Sequence, residues 1–155
     1  MRPGRKRFGG FTLIELLITV AIVAILASAA RPLSELNVKR AKELELRRAL
    51  REIRDGLDAH RQAAEEGRIE RRVGDAGFPR RLEDLVEGVE DRRAANKQRI
   101  YFLRRLPRDP MTPDGQWGLR SYSSPPDAPA PGDDVFDVYT LSNGVGINGR
   151  PYREW

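Results

Sequence analysis

The sequence predicts an α+β chain: a long N-terminal helix, its first half in a membrane, packed on a small antiparallel β-sheet. Three observations carry that expectation. From Phe11 to Ala30 the only charged residue is Glu15. A helix of about 20 residues at ~1.5 Å per residue spans roughly 30 Å, the hydrocarbon thickness of a bilayer. Beyond this run, Leu46, Leu50, Ile53 and Leu57 recur at helical spacing and make one apolar stripe. Near the end, Trp117–Tyr122 and Asp134–Leu141 are rich in β-branched and aromatic residues, and the second alternates Val135, Asp137, Tyr139 against Phe136, Val138, Thr140.

Residues 1–10 form a basic leader. The chain carries a net charge of +5, with 28 Lys and Arg against 23 Asp and Glu. Arg2, Arg5, Lys6 and Arg7 account for four of the cations, so the remainder holds 24 against 23, about +1. A strongly basic chain suggests nucleic acid or anionic lipid as a partner. With the charge concentrated in the leader, no nucleic acid is expected. Basic residues beside a spanning helix stay cytoplasmic, which puts 1–10 inside and the chain after Pro32 outside. An ordinary secretory signal also has a basic start and an apolar core, and Ala27-Ser28-Ala29 would serve as its cleavage site. Glu15 within the apolar core argues against that reading.

Residues 11–31 make the membrane segment. A carboxylate at the centre of a span carries an insertion penalty of about 2.5–3.5 kcal/mol, so Glu15 calls for a function. Thr12, Thr19 and Ser28 need none, since helical hydroxyls bond back to a carbonyl one turn earlier. Pro32 removes a helix hydrogen bond and should loosen the helix there.

Residues 32–67 read as an amphipathic helix ending near Gly67. Opposite charges stand four apart at Glu35/Lys39, Glu43/Arg47, Arg48/Glu52, Arg51/Asp55, Arg54/Asp58 and Arg61/Glu65. Each such pair adds only a few tenths of a kcal/mol and marks a solvated face. His60 follows Leu57 by three residues, at the edge of the stripe, as a surface or half-buried histidine and not a catalytic base. Residues 68–155 form the C-terminal part. Arg68–Gly77 reads as a loop, Phe78–Val86 as a short helix with Pro79 in its first turn, and Glu87–Gln98 as a charged, flexible connection. Ile100–Leu103 returns apolar bulk to the core. Leu106–Gly115 is turn chemistry, and Pro125, Pro126, Pro129 and Pro131 make an irregular link between the two strands.

Several function classes drop out. Without cysteine there is no disulfide, thiol chemistry or thiolate metal site, and one histidine rules out a histidine-rich centre. P-loop, zinc and nucleophile-elbow patterns are missing from the sequence. No catalytic residue, metal ligand or cofactor is assigned, and the chain is not expected to be an enzyme.

The opening motif supplies the positive evidence. A basic leader, Gly10, then Phe11-Thr12-Leu13-Ile14-Glu15-Leu16 resembles the class III signal of type IV pilins and type II secretion pseudopilins, with Pro32 where many members carry a helix-kinking proline. The resemblance implies cleavage by a prepilin peptidase after Gly10 and N-methylation of Phe11. It also implies that Glu15 pairs with the terminal amine of a neighbouring subunit during fibre assembly. In the back half, Arg104-Arg105-Leu106-Pro107-Arg108-Asp109-Pro110, Trp117-Gly118, Arg120-Ser121-Tyr122 and Val135-Phe136-Asp137-Val138-Tyr139 resemble the major pseudopilin of type II secretion. That narrower resemblance implies a subunit of a periplasmic pseudopilus in the inner membrane. Its partners would be copies of itself, other pseudopilins and the inner-membrane assembly platform. Two alternatives stay open. One is a type IV pilus or DNA-uptake minor pilin, which the missing cysteine pair disfavours. The other is a membrane-anchored periplasmic binding protein, in which Asp109, Asp133, Asp134 and Asp137 would form a cation site.

The resemblance also implies a calcium loop after the second strand. A hard cation wants six to eight oxygens with carboxylates among them. Here 142–153 contains no Asp or Glu and carries Arg150 and Arg153. Tyr152 and Trp155 are the expected substitute, pinning the tail by buried area. Thermal unfolding of the part from residue 34 to 155 should shift little between excess calcium and chelator. A calcium-dependent rise of several degrees would show a surviving ion site.

Overall fold

The computed structural model describes residues 11–71, 74–96 and 98–155, with the side chains of 29–34 outside the description. The leader with Gly10 therefore lies outside the described residues, and so do the side chains of Ala29, Ala30 and Pro32. The chain divides into two units, Met1–Lys39 and Arg40–Trp155.

In the first unit the one described element is the N-terminal part of α1, a helix over Leu13–Glu65. Every large apolar side chain from Phe11 to Leu26 is at least 52% exposed. Among the described residues no helix is long and apolar enough to cross a membrane, the described side chains of the apolar run ending at Ser28. Two of the three hydroxyls behave as expected: Thr19 and Ser28 donate to the carbonyls of Leu16 and Ile25 at 2.9 and 2.7 Å, whereas Thr12 accepts from the Glu15 N–H.

The second unit is built on the apolar stripe of α1. Leu46, Ala49, Leu50, Ile53 and Leu57 are buried in one cluster with Phe78, Leu82, Leu85, Leu103, Trp117, Val135, Val138 and Tyr152. Burying each of the large aliphatic side chains contributes roughly 2 kcal/mol. The helix stops two residues before Gly67. Gly67, at φ 70°, donates to Ala64, and Arg68 donates to Ala63, a Schellman arrangement that closes the last turn. Ile69 then packs on Ala63 and Ala64.

Three expectations need correction. The short helix is α2, Asp84–Glu87, not Phe78–Val86. Pro79 lies before it, and its carbonyl accepts the Val135 N–H at 2.8 Å, so it is committed to the sheet side of the core. The charged stretch Glu87–Gln98 contains a strand, β1 (Val89–Glu90), paired antiparallel with β2 (Arg99–Ile100). Arg68 anchors it, bonding Asp91 at 2.7 Å. This contact holds the Asp91 carboxyl below its ordinary range. The sheet is therefore not single: a second antiparallel pair joins β3 (Trp117–Arg120) to β4 (Asp137–Thr140). Val138 and Thr140 face the core as the alternation predicts within β4, but Val135, assigned to the opposite face, lies before the strand and is buried in the core as well. Gly118 lies opposite Tyr139, where a Cβ would run into the tyrosine ring.

The i,i+4 ladder on α1 also resolves differently. Among the described residues, Arg61–Glu65 is the one pair of the six that forms, at 2.9 Å. Glu43, Arg47 and Arg54 are drawn instead to the C-terminal tail. His60 is more buried than expected, at 6% exposure. Its Nδ1 lies 2.9 Å from the Gly77 carbonyl, and its ring meets Phe102 at 5.2 Å. A carbonyl only accepts, so Nδ1 carries the proton and donates. Burial depresses the His60 pKa, against the opposing pull of the Gly77 bond and of Asp84 and Asp75. The folded chain thus keeps a neutral imidazole where the unfolded chain takes up a proton at about pH 6.5. Stability is full above that pH and falls as pH drops from it toward the lower folded value. Denaturant midpoints measured at about pH 7.5 and 5.5 should show this loss, and His60→Gln should reduce the difference. An unchanged pH difference in the variant would refute the assignment.

Candidate processing and assembly site

The site predicted from sequence opens at Phe11, which is 82% exposed. Thr12 is the N-cap of α1. Its Oγ1 accepts the Glu15 N–H at 3.3 Å, and its carbonyl accepts the Leu16 N–H at 3.2 Å. Thr-x-x-Glu is the sequence form of a capping box, and the Thr12 half is in place. The cap fixes where the helix begins. It puts Leu13 and Ile14 in the first turn, and Glu15 at the third helical position, where the positive end of the helix dipole favours an acid. Glu15 is exposed, as are Leu13, Ile14 and Leu16. The arrangement therefore presents one carboxylate, one turn from Phe11, on an otherwise apolar exposed segment. A cation brought to it in a low-dielectric setting would be attracted far more strongly than in water.

The four aspartates proposed as a cation site are not assembled. Asp109 is buried and accepts from Thr140 Oγ1 and the Met111 N–H. Asp134 accepts from Ser121 Oγ and the Tyr122 N–H, while Asp137 pairs with Arg54 at 2.8 Å. Among the described residues no three His, Cys, Asp or Glu come together as a metal would need.

Sequence reading missed a second constellation, the clamp on the C-terminal tail. Glu43 is 6% exposed. Its Oε1 accepts from the Ile147 N–H at 2.8 Å and from the Tyr152 hydroxyl at 2.9 Å. Burial, then Glu43, pushes the Tyr152 phenol up to about 12. Trp155 stands edge-on to Tyr152 at 5.1 Å, with the Arg47 guanidinium 4.4 Å above its ring. Arg54 bonds both Asp137 and the Trp155 carbonyl. The signal was available: Glu43 precedes Leu46 by three residues and continues the apolar stripe, a position where an acid must find donors.

Glu43→Ala removes the acceptor of both bonds and should destabilise the second unit by about 2–3 kcal/mol, whereas Tyr152→Phe should cost about 1 kcal/mol. Chemical denaturation followed by tryptophan fluorescence measures both. Equal effects would mean that the Ile147 bond carries nothing.

Comparison with known proteins bears on the first constellation. No curated protein and no solved structure matches the chain. Residues 5–30 match the prokaryotic N-terminal methylation motif, the class III signal of prepilin-processed, type IV pilin-like chains.

Proposed function

We propose that this chain is a structural subunit of a periplasmic pseudopilus serving type II secretion. On this reading residues 11–31 hold it in the inner membrane, a prepilin peptidase cuts after Gly10 and methylates Phe11, and the processed subunit then polymerises. The observation that carries the reading is the methylation motif over 5–30, within which a helix capped at Thr12 begins and the large apolar side chains from Phe11 to Leu26 are all exposed. Such a surface has to be covered, first by lipid and then by copies of itself in a fibre core. Glu15 sets the register there by reaching a neighbour's terminal amine. The long helix packed on small antiparallel sheets suits such a subunit, and the back-half resemblance favours secretion over a type IV pilus. The role is mechanical, with other pseudopilins and an inner-membrane platform as partners and no reaction of its own.

The intact mass of protein taken from its native membrane should correspond to a chain beginning at N-methylated Phe11. A chain beginning at Ala30 or Arg31 would overturn the reading in favour of an ordinary exported protein. Glu15→Leu should insert at least as well as the parent, because it removes the unfavourable burial, and should form little polymer. Membrane fractionation beside a shearing assay measures the two effects. Normal polymer yield would remove the pairing role while leaving processing intact.

A further inference from the structure

The exposed charge of α1 in the second unit changes sign along the helix. From 40 to 51, Arg40, Lys42, Arg47, Arg48 and Arg51 are exposed, and Glu45 is the one exposed acid. None of them forms an ion pair among the described residues. From 52 to 66 the balance reverses. Glu52, Asp55, Asp58 and Glu66 are exposed and without an ion pair among the described residues. Both arginines of that stretch are engaged, Arg54 with Asp137 and Arg61 with Glu65.

Helix stability does not account for this segregation. Like charges stand three or four residues apart at Arg47/Arg51, Arg48/Arg51, Glu52/Asp55 and Asp55/Asp58, which disfavours an isolated helix. The acids run to the C-terminal end of α1, where the helix dipole is negative, and the last turn holds no base. The two stretches also meet different flanks of the fold. Arg47 and Arg51 border a groove beside Asn148, Arg150 and Trp155 of the tail. Glu52 and Asp55 border another, beside the 102–105 segment. Arg104 and Arg105 stand in that second groove but pair with neither acid among the described residues, and Asp58 and Glu66 lie outside it. A surface opposite in sign to either stretch is the other stretch, on a second copy of this chain.

We propose that the cationic stretch 40–51 of one copy lies against the acidic stretch 52–66 of the next, the two helices running parallel and staggered. The parallel direction rests on the pseudopilus reading. The charges centre near residues 46 and 58, so at ~1.5 Å per residue the stagger is roughly 18 Å. Exposed charges add little affinity but select alignment, and an unstaggered parallel copy would set like against like. A staggered contact uses two different surfaces and leaves one of each free, so it extends without closing.

The chain has no cysteine, so introduced thiols report cleanly. Full-length chain with Leu44→Cys and Asp55→Cys, both at exposed positions, is oxidised in its native membrane and resolved without reductant. Within one helix these positions are about 16 Å apart, beyond the ~7 Å a disulfide allows, so every link joins two chains. The expected result is a ladder of multimers of this chain that reductant collapses. Each single-cysteine variant should stay monomeric, and the two mixed should give dimers. Arg48→Glu with Arg51→Glu, added to the double-cysteine chain, should lower the linked fraction about fivefold or more at an unchanged denaturation midpoint. Monomer alone overturns the proposal, as does a product that stops at the dimer, the mark of a closed antiparallel pair. Single variants that link as readily as the double, links to a different protein, or a ladder indifferent to the charge reversal overturn it equally. The N-terminal mass of the same sample judges the pseudopilus reading separately: monomer alone in a chain beginning at Phe11 removes this contact and leaves that reading standing.

Discussion

The second unit depends on burying one stripe of α1. Glu43, Leu46, Leu50, Ile53, Leu57, His60 and Ala64 follow one another at spacings of three and four, and all are buried. The apolar members supply the free energy by leaving water. The short elements around them could not stand alone: two two-residue strands, two four-residue strands and a four-residue helix are below what independent sheets or helices need. They hold their shape because the stripe gives each of them a surface to cover.

The two polar members of the stripe act differently from the apolar ones. A buried carboxylate must be met by donors, and Glu43 takes them from Ile147 and Tyr152 of the tail. His60 spends its N–H on Gly77 and so ties down the loop that follows α1. Each fixes a segment distant in sequence to a known turn of the helix. Apolar contact alone would hold those segments less specifically, because it has no direction.

The first unit follows the opposite logic. Its large apolar side chains from Phe11 to Leu26 stay exposed, and its polar groups serve to start the helix. Thr12 caps the first turn, and Glu15 is placed by that cap. One continuous helix therefore carries a stripe satisfied within the chain and a surface left for other molecules.

Local order was legible in the sequence because it rests on neighbours a few residues apart. The α1 stripe, the terminating Gly67, the hydroxyls of Thr19 and Ser28, the alternation through Val138 and Thr140, and the signal around Glu15 are all of that kind. Only the tertiary structure decided the partners of groups with several near-equal choices. Arg54 had Asp58 four residues away but bonds Asp137, where a half-buried pair with two hydrogen bonds outweighs a solvated one worth a few tenths of a kcal/mol. Asp91 and Arg68 turn an apparently flexible charged loop into a hairpin by meeting across 23 residues. Pro79 gives its carbonyl to Val135 and so shortens the expected helix. Charge and hydrogen-bonding capacity are written in the residue types, but which acceptor lies within reach is set by the packing of distant segments.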